Sequence, residues 1–165
     1  MEKNDRMDGV VSDEASDMEL GRLTEADLQD LAGLYRQFWN EDSDLERMRA
    51  VFGRLKDNPR YIFLGARRRG RLVGSVMGVL CEELYGDCKP FMVAEDVVVD
   101  KEHRRSGVGT ALMRELEKCA MAAECRTMAL ITEFYREDAA AFYESLGYRA
   151  KPYRGFKKRL PAISE

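Results

Sequence analysis

The apolar run Val97-Val98-Val99 leads through Asp100 into a turn carrying Gly107 and Gly109, after which Leu112, Met113, Leu116, Cys119 and Ala120 recur at helical spacing. A strand, a glycine turn and an amphipathic helix therefore follow one another directly. Glycine lets the backbone approach a ligand closely, and the first N–H groups of a helix lack intrahelical acceptors. A helix start of this kind is suited to holding phosphate. The spacing differs from the dinucleotide fingerprint, which needs a third glycine and a later acidic residue in a parallel βαβ unit, because Thr110 follows Gly109.

The remaining elements read as a mixed order of strands and helices. Residues 1–17 are polar and acidic without apolar periodicity, which predicts a mobile, disordered tail ahead of a single domain over 18–165. Met18 to Leu23 is a candidate strand. Thr24 is then placed as an N-cap before a helix with Leu28, Leu31, Leu34, Tyr35 and Phe38 on one face, and Leu45, Met48, Val51, Phe52 and Leu55 mark a second helix that stops before Asn58-Pro59. Tyr61 to Ala66 and Leu72 to Leu80 flank the turn Arg67 to Arg71 with Gly70 inside it, which predicts an antiparallel hairpin. Its arginines read as a solvated hairpin tip that could also meet a phosphate. Phe91 to Val99 and Thr127 to Thr132 are further strands, Glu137 to Ser145 is a short helix closed by Gly147, and Tyr153 to Leu160 is expected as a final strand.

Composition narrows the function classes. In 165 residues, 27 Lys and Arg nearly balance 30 Asp and Glu, so the overall field favours neither nucleic acid nor an anionic membrane. The basic stretches Arg67 to Arg71 and Lys157 to Arg159 lack an interleaved aromatic platform, which argues against a nucleic-acid partner. No apolar run approaches the length of a membrane span, and no signal-like start is evident, so a cytoplasmic protein with no membrane partner is expected. Cys81, Cys88, Cys119 and Cys125 lack the C-x-x-C spacing of a zinc site, and no histidine lies near them in sequence to activate a thiolate. No metal site is expected.

Arg104-x-x-Gly107-x-Gly109, following a strand and opening an amphipathic helix, resembles the pyrophosphate loop of the GCN5-related N-acetyltransferase (GNAT) family. Downstream, Ala139-Ala140-Ala141-Phe142-Tyr143-Glu144-Ser145-Leu146-Gly147-Tyr148 is similar to the family's late helix. The resemblance covers about 18–160, with specific motifs in the second half and agreement in element order alone in the first. It implies an α/β (α+β) fold: a mostly antiparallel central sheet splayed between strands 4 and 5, with helices on both faces. It also implies acetyl-CoA as acetyl donor and an amine as acceptor, joined by direct attack in a ternary complex.

By that resemblance Arg104, Arg105, Ser106, Gly107, Val108, Gly109 and Thr110 form the cofactor cradle, largely through backbone N–H groups, and Val97, Val98 and Val99 pair with the pantetheine arm. Tyr143 would protonate the departing thiolate; otherwise it is a core aromatic. Glu95 is the candidate base that deprotonates the amine, against a rim carboxylate or a water chain, and strand alternation places it opposite Asp96. Many family members carry an asparagine seven residues before the late tyrosine, where this chain has Arg136; Arg136 could instead reach the 3′-phosphate of coenzyme A or pair with Glu137 or Asp138. His103 reads as a turn residue on the phosphate side of the cofactor.

Glu41, Asp42, Asp44, Glu82, Glu83, Asp87 and Glu133 fall in the loops that surround the acceptor in this family, with Trp39 and Tyr85 as a possible aromatic wall. Together they favour a small cationic amine, such as a polyamine or aminoglycoside-like molecule. A protein N-terminus or lysine is the alternative acceptor, and a non-catalytic coenzyme A sensor is the alternative to an enzyme. Family members often pair subunits through their last strands, so a homodimer is a further expectation.

Overall fold

The computed structural model describes residues 17–160. The expected tail therefore lies, apart from Asp17, outside the described residues. Strands β1 (Met18–Arg22), β2 (Tyr61–Arg68), β3 (Arg71–Cys81), β4 (Phe91–Val99) and β5 (Thr127–Ala129) form one sheet in the order β1-β2-β3-β4-β5. The first four strands are antiparallel to their neighbours, and β5 joins β4 in parallel. Arg69 and Gly70 both take left-handed backbone angles, φ 52° and 74°, as a two-residue hairpin turn with the twist of its flanking strands requires.

Helices α1 (Leu28–Trp39) and α2 (Leu45–Leu55) cover one face of the sheet, and α3 (Val108–Ala122) covers the other with α4 (Glu137–Ser145) beside it. Each amphipathic helix buries its apolar stripe where the sequence places it. Leu28, Leu31 and Leu34 of α1 meet Phe52, Leu72 and Val98; Leu112, Met113 and Leu116 of α3 meet Ile62, Leu64, Val76, Met92 and Ala94. Asp44 caps α2 by accepting from the Arg47 N–H at 3.0 Å.

Gly74 and Gly78 of β3 let α3 sit close to the sheet. A Cβ on Gly78 would lie 2.6 Å from Leu116 Cδ1 and 3.0 Å from Met92 Sδ, two side chains with no exposed surface. Gly78→Ala is expected to destabilise the fold by about 1–3 kcal/mol through overpacking, read as a lowered midpoint in urea without a change in slope.

Three boundaries depart from the sequence reading. Strand β2 extends to Arg68, so Arg67 and Arg68 belong to the sheet and only Arg69 and Gly70 form the tip. Strand β5 stops at Ala129 instead of Thr132. Tyr153 to Leu160 forms no strand: the run has strand-like composition, but no ladder partner receives its backbone, and Tyr153, Phe156 and Leu160 stand exposed. Strand propensity depends on context, and a strand-like composition does not by itself make a strand.

Candidate active site

Strands β4 and β5 are in register only over Phe91, Met92 and Val93 with Thr127, Met128 and Ala129. Beyond Val93 the two separate, so the β5-side edge of β4 from Ala94 to Val99 lies open and leads to the start of α3. This is the splay implied by the family resemblance, and it leaves the β4 edge at Val97 and Val98 open to an extended ligand, while Val99 O accepts from Arg104 Nε at 3.3 Å.

The turn at the end of that edge is firmly braced. Asp100 donates its N–H to Val73 O (2.9 Å) and caps the following single 3-10 turn, Lys101–His103, by accepting from the Glu102 N–H at 2.9 Å. Gln37 of α1 donates to Asp100 Oδ2 (2.9 Å) and accepts from the Lys101 N–H (3.2 Å), tying the loop to the opposite face of the sheet. His103 Nδ1 lies 3.1 Å from Asp100 Oδ1, and Ser106 Oγ donates to His103 O at 2.7 Å. Partial burial pushes the Asp100 carboxyl up, but bonds from Gln37, His103 and the Glu102 N–H outweigh it and hold the group below its ordinary value.

Arg105 and Gly107 adopt φ of 60° and 85°, and α3 starts immediately afterwards. Successive turns of this kind aim consecutive N–H groups into one concavity. The N–H groups of Val108, Gly109 and Thr110 precede the first helical bond, from Ala111 N–H to Gly107 O at 2.9 Å. Val108 is buried, whereas Arg104, Arg105, Ser106 and Gly107 are exposed. A Cβ on Gly109 would stand 3.2 Å from Phe142 Cζ and 3.7 Å from Val99 Cγ2, so α4 packs directly over the helix start. The loop thus offers a concave set of N–H groups among cationic side chains, a chemistry that fits a pyrophosphate.

Tyr143 projects from α4 into the same region, half-buried between Phe142 (ring centroids 5.1 Å) and Tyr148 (6.1 Å, edge-on). Burial raises its pKa above 10; the Arg136 charge pulls it down and the Glu95 charge pushes it up. Tyr143, Arg136 and Glu95 therefore share one electrostatic neighbourhood at the splay.

Glu95 is exposed on β4. Simple alternation does not describe its relation to Asp96, because a bulge falls here: Ser75 pairs with Val98 and Met77 with Glu95, leaving an extra residue in β4, and Asp96 takes φ 53°. The bulge resets the strand, so that Met92 and Ala94 before it and Val97 and Val99 after it all pack on the α3 side. Tyr35 of α1 lies close to Asp96, and burial raises the Asp96 carboxyl above its ordinary value.

Arg136 pairs with Asp138, one of the partners read from the sequence, at 3.7 Å. Its guanidinium also lies 4.5 Å over the Phe38 ring, a cation–π contact joining the β5–α4 loop to α1. Trp39 packs edge-on against Tyr35 and Phe38 and remains 45% exposed at the end of α1. Tyr85 is exposed. Among the acidic loop residues, Asp42 pairs with Arg36, Asp87 with Arg126, and Asp44 caps α2. Glu41, Glu82, Glu83 and Glu133 have no ion-pair partner among the described residues.

The family model described as the acetyltransferase (GNAT) family matches residues 28–148, spanning the first helix to the end of the late one. The chain belongs to the GNAT family. It is 33% identical over 81 residues to a glucosamine 6-phosphate N-acetyltransferase of Trypanosoma brucei brucei, covering 49% of this chain and 53% of that protein. A solved acetyltransferase of Trypanosoma brucei superposes with a TM-score of 0.75 at 26% identity, covering 87% of this chain and 100% of the other. A solved protein of Agrobacterium tumefaciens str. C58 reaches a TM-score of 0.80 at 26% identity, over 86% of this chain and 99% of that one. The chain spans about half the length of the curated relatives it matches. No described helix of this GNAT protein is long and apolar enough to cross a membrane.

Sequence reading missed Gln37, the proximity of Tyr35 to Asp96 and the Phe38 contact of Arg136. Asp100 had a legible signal, an aspartate ahead of a polar turn. Gln37 had none, since it sits on the polar edge of α1 and finds its partner only across the sheet.

Proposed function

We propose that this chain is an N-acetyltransferase that moves the acetyl group of acetyl-CoA to a primary amine, with a small cationic molecule as the favoured acceptor. The observation that carries the reading is the placement of a pyrophosphate-suited loop at one end of the open β4 edge, with Tyr143 and Glu95 sharing a neighbourhood at the splay.

Acetyl-CoA supplies an activated thioester. The chain's residues supply position and proton handling. The backbone N–H groups of Val108, Gly109 and Thr110 hold the phosphates, and the edge of Val97 to Val99 aligns the pantetheine arm. Glu95 takes a proton from the ammonium of the acceptor, freeing the nitrogen lone pair for the carbonyl carbon. As the carbon–sulfur bond breaks, the Tyr143 hydroxyl gives its proton to sulfur. The carboxylates Glu41, Glu82, Glu83 and Glu133, without ion-pair partners among the described residues, support a cationic acceptor together with exposed Trp39 and Tyr85. The amino-sugar acetyltransferase among the relatives supports an amine of small size.

Calorimetric titration of acetyl-CoA, followed by thiol release against polyamines, aminoglycosides, amino sugars with and without phosphate, and peptides, tests this reading. Binding with turnover on a small amine supports it; turnover on peptides alone assigns a protein acceptor, and binding without turnover on any amine assigns a sensor. Glu95→Gln is expected to lower kcat/KM about tenfold at neutral pH and to regain most of it as the solution approaches the pKa of the amine. A loss equal at every pH would make Glu95 a binding residue instead of the base.

A further inference from the structure

Four arginines lie at the β2–β3 hairpin, and three have carboxylate partners: Arg67 with Asp27, Arg69 with Asp17, and Arg71 with Asp30. Arg68 has none among the described residues. Strand alternation separates it from Arg67: Ile62, Leu64 and Ala66 face α3, and Arg68 continues that series, while Arg67 turns to the α1 side and Asp27. Arg68 thereby reaches the phosphate loop, where Nη2 donates to Ser106 O at 3.3 Å. Its Nε–H is buried without an acceptor among the described residues. An unmade bond on a partly buried cation is costly and calls for an explanation, of which an anion that accepts from it is one.

From these observations we infer that Arg68 is a phosphate-binding residue of the donor site, reaching from the β2–β3 hairpin to the loop that α3 opens and adding a guanidinium to the backbone cradle. The inference rests on the acetyl-CoA reading and adds to it a residue outside the Arg104 to Gly109 motif. The β2–β3 hairpin brings Arg68 to a loop 38 residues away in sequence. The guanidinium fork suits the geometry of phosphate oxygens better than a lysine does. With Arg104 and Arg105 exposed beside it, the site gathers positive charge around ligand phosphates while the thioester end of the splay stays separate.

The test compares wild type, Arg68→Ala and Arg68→Lys in calorimetric titrations with acetyl-CoA, 3′-dephospho-acetyl-CoA and acetylpantetheine, with thermal unfolding of each free protein. Arg68→Ala is expected to weaken acetyl-CoA about tenfold or more, with Arg68→Lys between it and wild type. Acetylpantetheine, which lacks the nucleotide phosphates, should bind all three alike, and the free variants should unfold close to wild type. Persistence of the loss with the dephospho ligand assigns the pyrophosphate, and its disappearance assigns the 3′-phosphate. Unchanged acetyl-CoA affinity in Arg68→Ala, or an equal loss with acetylpantetheine, overturns the inference. Failure of wild type itself to bind acetyl-CoA would instead overturn the function proposed above.

Discussion

Tyr143→Phe should lower kcat for acetyl transfer about 10²-fold while leaving acetyl-CoA affinity within about twofold. The substitution removes one oxygen and keeps the ring that packs against Phe142 and Tyr148, so folding is expected to survive it. The hydroxyl suits the role because burial outweighs the opposing pull of Arg136 and raises its pKa above 10. At neutral pH the phenol is therefore protonated, and a departing thiolate meets a donor instead of a phenolate. The sign also limits the pH dependence. Deprotonation of a group with a raised pKa cannot shape the rate below about pH 10, so any limb near neutrality belongs to the base or to the amine. Rapid-quench measurement of a single turnover separates this loss from slow product release. A variant that retains more than about half of the single-turnover rate would reduce Tyr143 to a packing residue, with water as the proton source.

The legible and illegible parts of this protein divide by range along the chain. Strand, glycine turn and helix over Val97 to Met113 are written in consecutive residues, and the structure realises them with Gly107 left-handed at the helix start. The hairpin at Arg69 and Gly70 and the cap at Asp44 are likewise local. What the sequence conceals is set by partners far along the chain. Arg67 and Arg68 read alike as parts of a basic run, yet one pairs with Asp27 beneath α1 and the other touches Ser106 on the opposite face. The bulge at Asp96 carries no local signature beyond a residue type that tolerates left-handed angles, and it decides which way Glu95 and Asp96 face. Arg136 stands where many family members carry asparagine, and its position over Phe38 depends on where α1 ends. Tyr153 to Leu160 shows the converse, a strand-like pattern that joins no strand of the sheet.

The largest expected loss of stability follows from Asp27→Asn, about 3–5 kcal/mol, because the change leaves the Arg67 guanidinium without its countercharge. Asp27 lies just ahead of α1, its side chain 9% exposed, and accepts from Arg67 Nε at 2.8 Å, from the Thr24 N–H at 2.7 Å and from Thr24 Oγ1 at 2.8 Å. Burial alone would raise this carboxyl, but the bonds from Arg67 and Thr24 outweigh it and hold the pKa below 3.8. A depressed carboxylate stabilises the fold fully above its unfolded pKa and loses that contribution as pH falls through the folded value. The difference in unfolding free energy between wild type and Asp27→Asn should therefore be flat from about pH 5 to 8 and narrow below about pH 4. Denaturant titrations across that range measure it directly, and a flat difference below about 1 kcal/mol would mean that the pair behaves as a solvated surface contact. The effect should also reach the site. Asp27 and Arg67 pin the start of α1 to β2, and the same helix carries Gln37, whose two bonds brace the Asp100 loop, and Phe38, which receives Arg136. Loosening that anchor should weaken acetyl-CoA binding even under conditions where the variant is fully folded, because the cradle is held in shape from the α1 side of the sheet.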